Sequence, residues 1–153
     1  MNFIFLTNYF NNDYPISKFP ELMFKSDRPY IMIYLTLNNY TFALPLRSTI
    51  KHDNALITDK KNRCGIDYSK SVYISKQNYI DNVRKPHIRN NEFNALRGKE
   101  YYLKKKFLKY IRKYVNAKKS EDPNKLKCFI TSTLPYFENL IDYENDILLP
   151  LGE

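Results

Sequence analysis

The chain has 153 residues, 43% of them hydrophobic, with a formal net charge of +9 and a sequence pI near 9.4. That length gives one domain, residues 1–153, with a sizeable core, and the apolar fraction excludes wholesale disorder. The basic balance points to a polyanion, nucleic acid or an acidic membrane surface, and the 14 Tyr and 10 Phe include faces for unpaired bases, although most such rings belong to cores.

Cys64 and Cys128 have no zinc-ligand spacing and allow one bridge at most. Two free thiols in a reducing cytoplasm is the simplest reading. The opening Met-Asn-Phe-Ile-Phe-Leu is apolar but lacks a basic n-region and a cleavage site, so no signal peptide is expected. No apolar run reaches the roughly 18 residues of a spanning helix, so no membrane partner is expected. Charge is unevenly spread. Ser120–Glu153 holds two basic and seven acidic residues, a net −5. The preceding stretch holds 23 basic and nine acidic residues, a net +14, so a polyanion site belongs there.

In chain order, Asn2–Thr7 reads as a strand and Asn8–Pro29 as a loop with a helical turn near Lys18–Phe24. Tyr30–Leu37 is rich in β-branched and aromatic residues. Asn38-Asn39 tolerates the left-handed conformation of a hairpin turn, and Thr41–Leu46 returns. Pro45 donates no ladder hydrogen bond, so an edge or a bulge is expected there. Asn54–Thr58, Cys64–Asp67 and Ser71–Ser75 are short strands around a charged turn, Asp59–Arg63. Short strands with tight loops predict a small, strongly bent antiparallel β-barrel.

Gln77–Arg89 is ambiguous, and Pro86 breaks any single helix there. Asn91–Lys118 is helical. At about 100° per residue, Phe107, Tyr110, Ile111 and Tyr114 fall within about 80° of Leu103. Lys105, Lys106, Lys109, Arg112 and Lys113 fall on the other side, with Tyr102 among them. A charge run is usually a solvated face, but this one has almost no acidic partners. Asp122-Pro123 marks an N-cap and a first helical position, followed by a short helix to about Thr131 and a turn near Tyr136–Tyr143. The fold class is α+β, a barrel with added helices, the longest one basic.

The stretch with most chemistry is Thr41–His52. After Pro45 it places Arg47, Ser48, Thr49, Lys51 and His52 within six residues. A solvated polar loop is the plain alternative. Carboxylates are scattered, His52 and His87 are far apart, and there is no Walker loop, glycine fingerprint or serine elbow. Metal-free RNA cleavage asks for less. The RNA supplies its 2′-hydroxyl, and the protein supplies a base, an acid and charge for the phosphorane. His52, Lys51, Arg47, Ser48 and Thr49 cover those roles by type. Asp67, Ser69 and Lys70 form a second cluster that would face the same rim if the two strands are neighbours.

The turn Pro45-Leu46-Arg47-Ser48, coming off the hairpin and followed by Lys51, resembles the Pro-Leu-x-Ser-x-x-Lys turn of the ToxN/AbiQ toxins of type III toxin–antitoxin systems. The longer Leu-Pro-Leu-Arg-Ser-x-Ile-Lys-His, with Gly65-Ile66-Asp67-Tyr68-Ser69-Lys70, looks closest to the CptN and TenpN branches. The resemblance covers residues 1 to about 120 by order of elements. It implies a MazF/Kid-like (SH3-like) barrel and metal-independent endoribonuclease activity leaving 2′,3′-cyclic phosphate and 5′-hydroxyl ends, with no cofactor. It further implies two RNA partners: a cellular substrate, and a small structured antitoxin RNA, often a pseudoknot, cut from a tandem-repeat precursor. Toxin and RNA would form a closed assembly with a role in phage defence. By position, Ser48 and Lys51 match the family turn, and His52 and Lys70 match the closer branches. One departure is Tyr30 after Pro29, where ToxN-like members have lysine; Arg28 is the nearest candidate for that charge. The expected catalytic residues are Ser48, Lys51 and His52. The expected RNA contacts are Arg28, Arg47, Thr49, Asp67, Ser69, Lys70, Lys105, Lys109, Arg112 and Lys113. A non-catalytic basic RNA-binding protein is the alternative.

Overall fold

A computed structural model describes residues 1–23 and 29–152. The strands are β1 (Asn2–Ile4), β2 (Met32–Leu37), β3 (Tyr40–Arg47), β4 (Ala55–Asp59), β5 (Cys64–Asp67) and β6 (Val72–Tyr73). The helices are α1 (Asn8–Asp13), α2 (Asn90–Leu96), α3 (Glu100–Ser120), α4 (Pro123–Lys127) and α5 (Leu149–Leu151). Single 3-10 turns occupy Tyr68–Lys70, Gln77–Tyr79 and Leu134–Phe137, and a π turn occupies Tyr143–Leu148.

The protein is α+β, and its antiparallel sheet is open, so the expected closed barrel does not form. The order is β1-β2-β3-β5-β4, with β6 also on β3. Closure needs the two end strands to pair. β1 has three residues, and the chain beyond it binds elsewhere: Thr7 N–H donates to the Tyr79 carbonyl, Asp81 N–H to Phe5, and Leu6 bridges Ile80. At the other end α2 lies against β4.

The β2–β3 hairpin forms as the pattern requires. Asn38 takes φ 54° at the turn, and its amide donates to the Asp146 carbonyl at 2.9 Å. Tyr40 Oη donates to Asp146 Oδ2 at 2.7 Å, so the hairpin tip is pinned to the C-terminal segment. Period-2 alternation puts Ile33, Leu35, Phe42 and Leu44 on one face, with Ile33 opposite Leu44 and Leu35 opposite Phe42. Helix α3 covers that face: Phe107 meets Phe42 edge-on at 5.4 Å. Leu103, Phe107, Tyr110, Ile111 and Tyr114 are all buried, as their spacing predicts.

Pro45 sits on an interior strand, neither at an edge nor at a recorded bulge. Leu46 N–H points to β2, donating to Ile31, so by alternation the Pro45 nitrogen faces the opposite side. There β3 pairs β6 at Phe42–Ala43 and β5 at Leu46–Arg47. Proline therefore falls where the neighbouring strand changes and no donor is required. Gly65, opposite Arg47, has a separate constraint: a Cβ there would collide with the backbone of Leu56 and Ile57.

Three other expectations shift. The Asn8–Pro29 stretch begins with helix α1, held by Phe10 stacking on Tyr14 at 4.9 Å and meeting Tyr79 at 5.2 Å. The expected turn near Lys18–Phe24 runs past the described residues at Phe24. The single helix expected over Asn91–Lys118 is two, because Gly98 takes φ 75° between α2 and α3. Asp122 does cap α4, accepting from Asn124 N–H at 2.9 Å with Pro123 in the first turn.

Five buried tyrosines give the fold an alkaline limit. Burial pushes Tyr110 up to about 12 and, with a hydrogen bond to Asp13, Tyr79 to about 12. Burial also raises Tyr68 and Tyr143, and burial together with the Glu138 hydrogen bond raises Tyr114. A folded value above the ordinary 10 means these phenols stabilise the fold fully below pH 10, and that stability is lost as pH rises through about 12. Melting temperature is expected to fall steadily from about pH 10, with tyrosinate absorbance rising alongside unfolding. A fold that survives ionisation of every tyrosine would contradict this reading.

Candidate active site

The expected catalytic stretch is the loop that follows β3. It doubles back and pairs with the 59–63 turn: Thr49 N–H donates to Asn62 at 3.2 Å, and Ile50 N–H to Arg63 at 3.0 Å. Ile50 is buried and anchors the loop. Arg63 then grips it from the side. Its Nε donates to the Ile50 carbonyl at 2.9 Å and its Nη2 to the His52 carbonyl at 2.7 Å. Thr49 sits at φ 56°, an outlier for a β-branched residue. Such strain persists where surroundings over-determine the backbone, and it concentrates at functional sites.

The loop divides the predicted residues into two groups. One gathers around Asp67, which is fully buried. Its Oδ1 accepts from Ser69 N–H at 2.9 Å and from Ser69 Oγ at 2.6 Å. Its Oδ2 accepts from Arg47 Nη1 and lies 3.2 Å from His52 Nε2. Ser69 Oγ is 3.3 Å from the same imidazole nitrogen. Asn54 N–H donates to His52 Nδ1 at 3.1 Å. That bond makes Nδ1 the acceptor and puts the ring proton on Nε2, aimed at Asp67. The His52 side chain stays about one-third exposed, at 34%. The cluster arises because Arg47 is opposite Gly65 in the register, Asp67 lies two residues further on the same face of β5, and Asp67 caps the Tyr68–Lys70 turn.

The other group lines an open cavity of about 590 Å³, walled by Ser48, Thr49, Lys51, Lys61, Arg63 and Arg89, with Cys64 at its side. Hydroxyls and cations dominate this wall. Asp59 also borders it, but its carboxylate is taken by the Lys61 and Asn62 amides and the Asn62 side chain. Those bonds, with the Asn62 side chain first, hold its carboxyl below the usual range.

Lys70 stands apart from both groups. Its ammonium donates to Glu21 Oε2 and to the Thr131 carbonyl, each at 2.7 Å, and its side chain is 11% exposed. It ties the N-terminal loop to the C-terminal segment, so the expected shared rim is met by Ser69 and not by Lys70. Arg28 lies outside the described residues.

The basic side of α3 also divides. Lys109 and Lys113 join Tyr102 and Lys106 along one flank of the buried stripe, beside Asp53 and Asn54 of the candidate loop. Lys105 and Arg112 are not among the residues facing that loop. Three of the five cations, Lys106, Lys109 and Lys113, thus lie beside the candidate loop. Among the described residues, none of these five cations has a carboxylate in ion-pairing range, whereas Lys104, Lys118 and Lys119 pair with Glu100, Glu138 and Glu144.

Sequence reasoning missed Arg63 and Arg89. Arg63 ends the charged Asp59–Arg63 turn, where its own backbone takes φ 50°. Among the described residues, no group of three His, Cys, Asp or Glu side chains is placed to hold a metal ion, and no helix is long and apolar enough to cross a membrane. No protein-family model, curated protein or solved structure matches the chain.

Proposed function

We propose that this protein is a metal-independent endoribonuclease, a cytoplasmic toxin of a type III toxin–antitoxin system related to the ToxN/AbiQ group. The observation that carries the reading is the strained, clamped loop after β3. It sets Ser48, Thr49 and Lys51 against a cationic cavity and, one residue on, presents a half-buried His52. A solvated turn needs no such bracing.

In the proposed reaction the scissile phosphate enters the cavity. The substrate 2′-oxygen bonds to phosphorus as the bond from phosphorus to the 5′-oxygen breaks. One proton leaves the 2′-hydroxyl and one arrives on the 5′-oxygen, giving a 2′,3′-cyclic phosphate and a 5′-hydroxyl. Lys51 neutralises the phosphorane, the Ser48 and Thr49 hydroxyls donate to its oxygens, and Arg63 fixes the loop. His52 takes the 2′-hydroxyl proton at Nδ1, once that nitrogen releases the Asn54 amide, and passes it to the 5′-oxygen, while Asp67 holds the Nε2 proton and orients the ring. A structured antitoxin RNA, cut from its repeats by the same site, would occupy this surface in the closed assembly. The sheet is six-stranded, antiparallel and open, so the reading does not rest on a closed MazF-like barrel.

Asp67 has all its near donors within the protein and is not available as a metal ligand. Cleavage of a single-stranded RNA is therefore expected to persist in excess EDTA and to leave cyclic-phosphate ends. Strict dependence on added Mg²⁺ with 5′-phosphate products would place the protein in another nuclease class. One observation favours the non-catalytic alternative: both His52 nitrogens already have protein partners. Tight RNA binding with no cleavage in the same assay would establish that alternative.

A further inference from the structure

The cleft between residues 53–56 and α3 is separate from the phosphate cavity but shares its loop. It holds about 200 Å³, with Ala55, Leu56, Tyr68 and Tyr110 as an apolar floor. Its rim is Asp53 and Asn54 on one side and Tyr102, Lys106, Lys109 and Lys113 on the other. These four helix residues follow at intervals of four, three and four, so they form one stripe along α3. Lys106 Nζ lies 5.3 Å from the centre of the Tyr102 ring, which is about half exposed. An exposed aromatic face with three lysines unpaired among the described residues is the chemistry of single-stranded nucleic-acid binding. The small volume takes one base and excludes a helix. Asn54 reaches this cleft while its amide holds the His52 ring, so an occupant would lie one step from the reacting centre.

We propose that this cleft binds the unpaired nucleotide next to the scissile phosphate, with its base on Tyr102 and its backbone along Lys106, Lys109 and Lys113. The inference rests on the endoribonuclease reading for its placement, but it is a statement about binding and is testable without cleavage. Lys106, Lys109 and Lys113 then serve the substrate strand, and Lys105 and Arg112 are left for more distant phosphates of a structured RNA.

The probe is a short RNA with 2′-O-methyl groups throughout, which cannot be cleaved, followed by fluorescence anisotropy across a salt series. Tyr102→Ala is expected to weaken binding by about 5- to 100-fold, the range for one lost base–aromatic stack, while Tyr102→Phe binds like wild type. Lys109→Ala/Lys113→Ala is expected to reduce the log–log salt slope by about 1.4, near 0.7 per single-strand phosphate contact. Lys18→Ala/Lys85→Ala removes the same charge from exposed sites outside the cleft and is expected to change the slope far less. Unchanged affinity in Tyr102→Ala and the double-lysine variant overturns the proposal. So does an equal loss on a duplex of the same sequence. Groove-dependent binding without cleavage of the unmodified RNA supports the cleft and overturns the nuclease reading. No binding by wild type overturns both.

Discussion

His52→Ala and Lys51→Ala are each expected to lower the rate of RNA cleavage by about 100-fold or more, and expression of either variant is expected no longer to arrest growth. A positioned acid–base group contributes about 10²–10⁴-fold, and a lost charge at a phosphorane has an effect of similar order. Ser48→Ala is expected to lose less, because Thr49 offers a second hydroxyl to the same cavity. Ser48 and Lys51 face the cavity directly, whereas His52 sits on the Asp67 side of the loop, so the proposed reaction requires one bound phosphate to reach both sides. None of the three is buried, so melting temperature serves as the control for folding. If all three fold normally and remain fully toxic, the loop after β3 is not the active site.

Arg63 separates the loop's shape from its chemistry. Its side chain holds the Ile50 and His52 carbonyls, so under the proposed reaction its effect is expected to pass through the placement of Lys51 and His52. Lysine cannot reproduce that fork of donors. This positioning device was invisible in the sequence, because it depends on a 13-residue reach and on a left-handed residue that is neither Gly nor Asn. The polar cluster of the loop itself was legible, since Arg47 to His52 are adjacent and their chemistry is local. Elsewhere the same division holds. The hairpin, the buried stripe of α3 and the Asp122 cap follow from periodicity and local hydrogen bonding, and each stands where the pattern put it. Helix α1 does not follow from Asn-Tyr-Phe-Asn-Asn-Asp, whose residues favour helices poorly; its support is the aromatic packing with Tyr79. The open sheet was equally hidden, because it turns on residues 5–7 bonding to residues 79–81. The Lys70 ion pair was hidden because its partner, Glu21, lies 49 residues away. The split basic face was hidden for a simpler reason. A helical wheel separates inside from outside, but it does not say which neighbouring loop lies along the flank.

Asp67→Ala is expected to be the most destabilising single change in the site. The carboxylate has no exposure, and four donor contacts converge on it from Arg47, His52 and Ser69. Removing it strands the Arg47 guanidinium, whose side chain is only 23% exposed, and breaking a buried pair from one side costs about 3–5 kcal/mol. Asp67→Asn retains one acceptor but turns an amide N–H₂ toward existing donors, so it falls between wild type and alanine. Denaturant unfolding measures both, and a loss under about 1 kcal/mol for Asp67→Ala would show that water replaces the carboxylate. The paired change Arg47→Met/Asp67→Leu distinguishes stability from function. With neither charge left to desolvate, much of the lost stability is expected to return. Cleavage is not, because the imidazole of His52 then has no carboxylate to orient it. A double variant that is both stable and fully active would make Asp67 a structural acceptor alone and leave His52 to act without it.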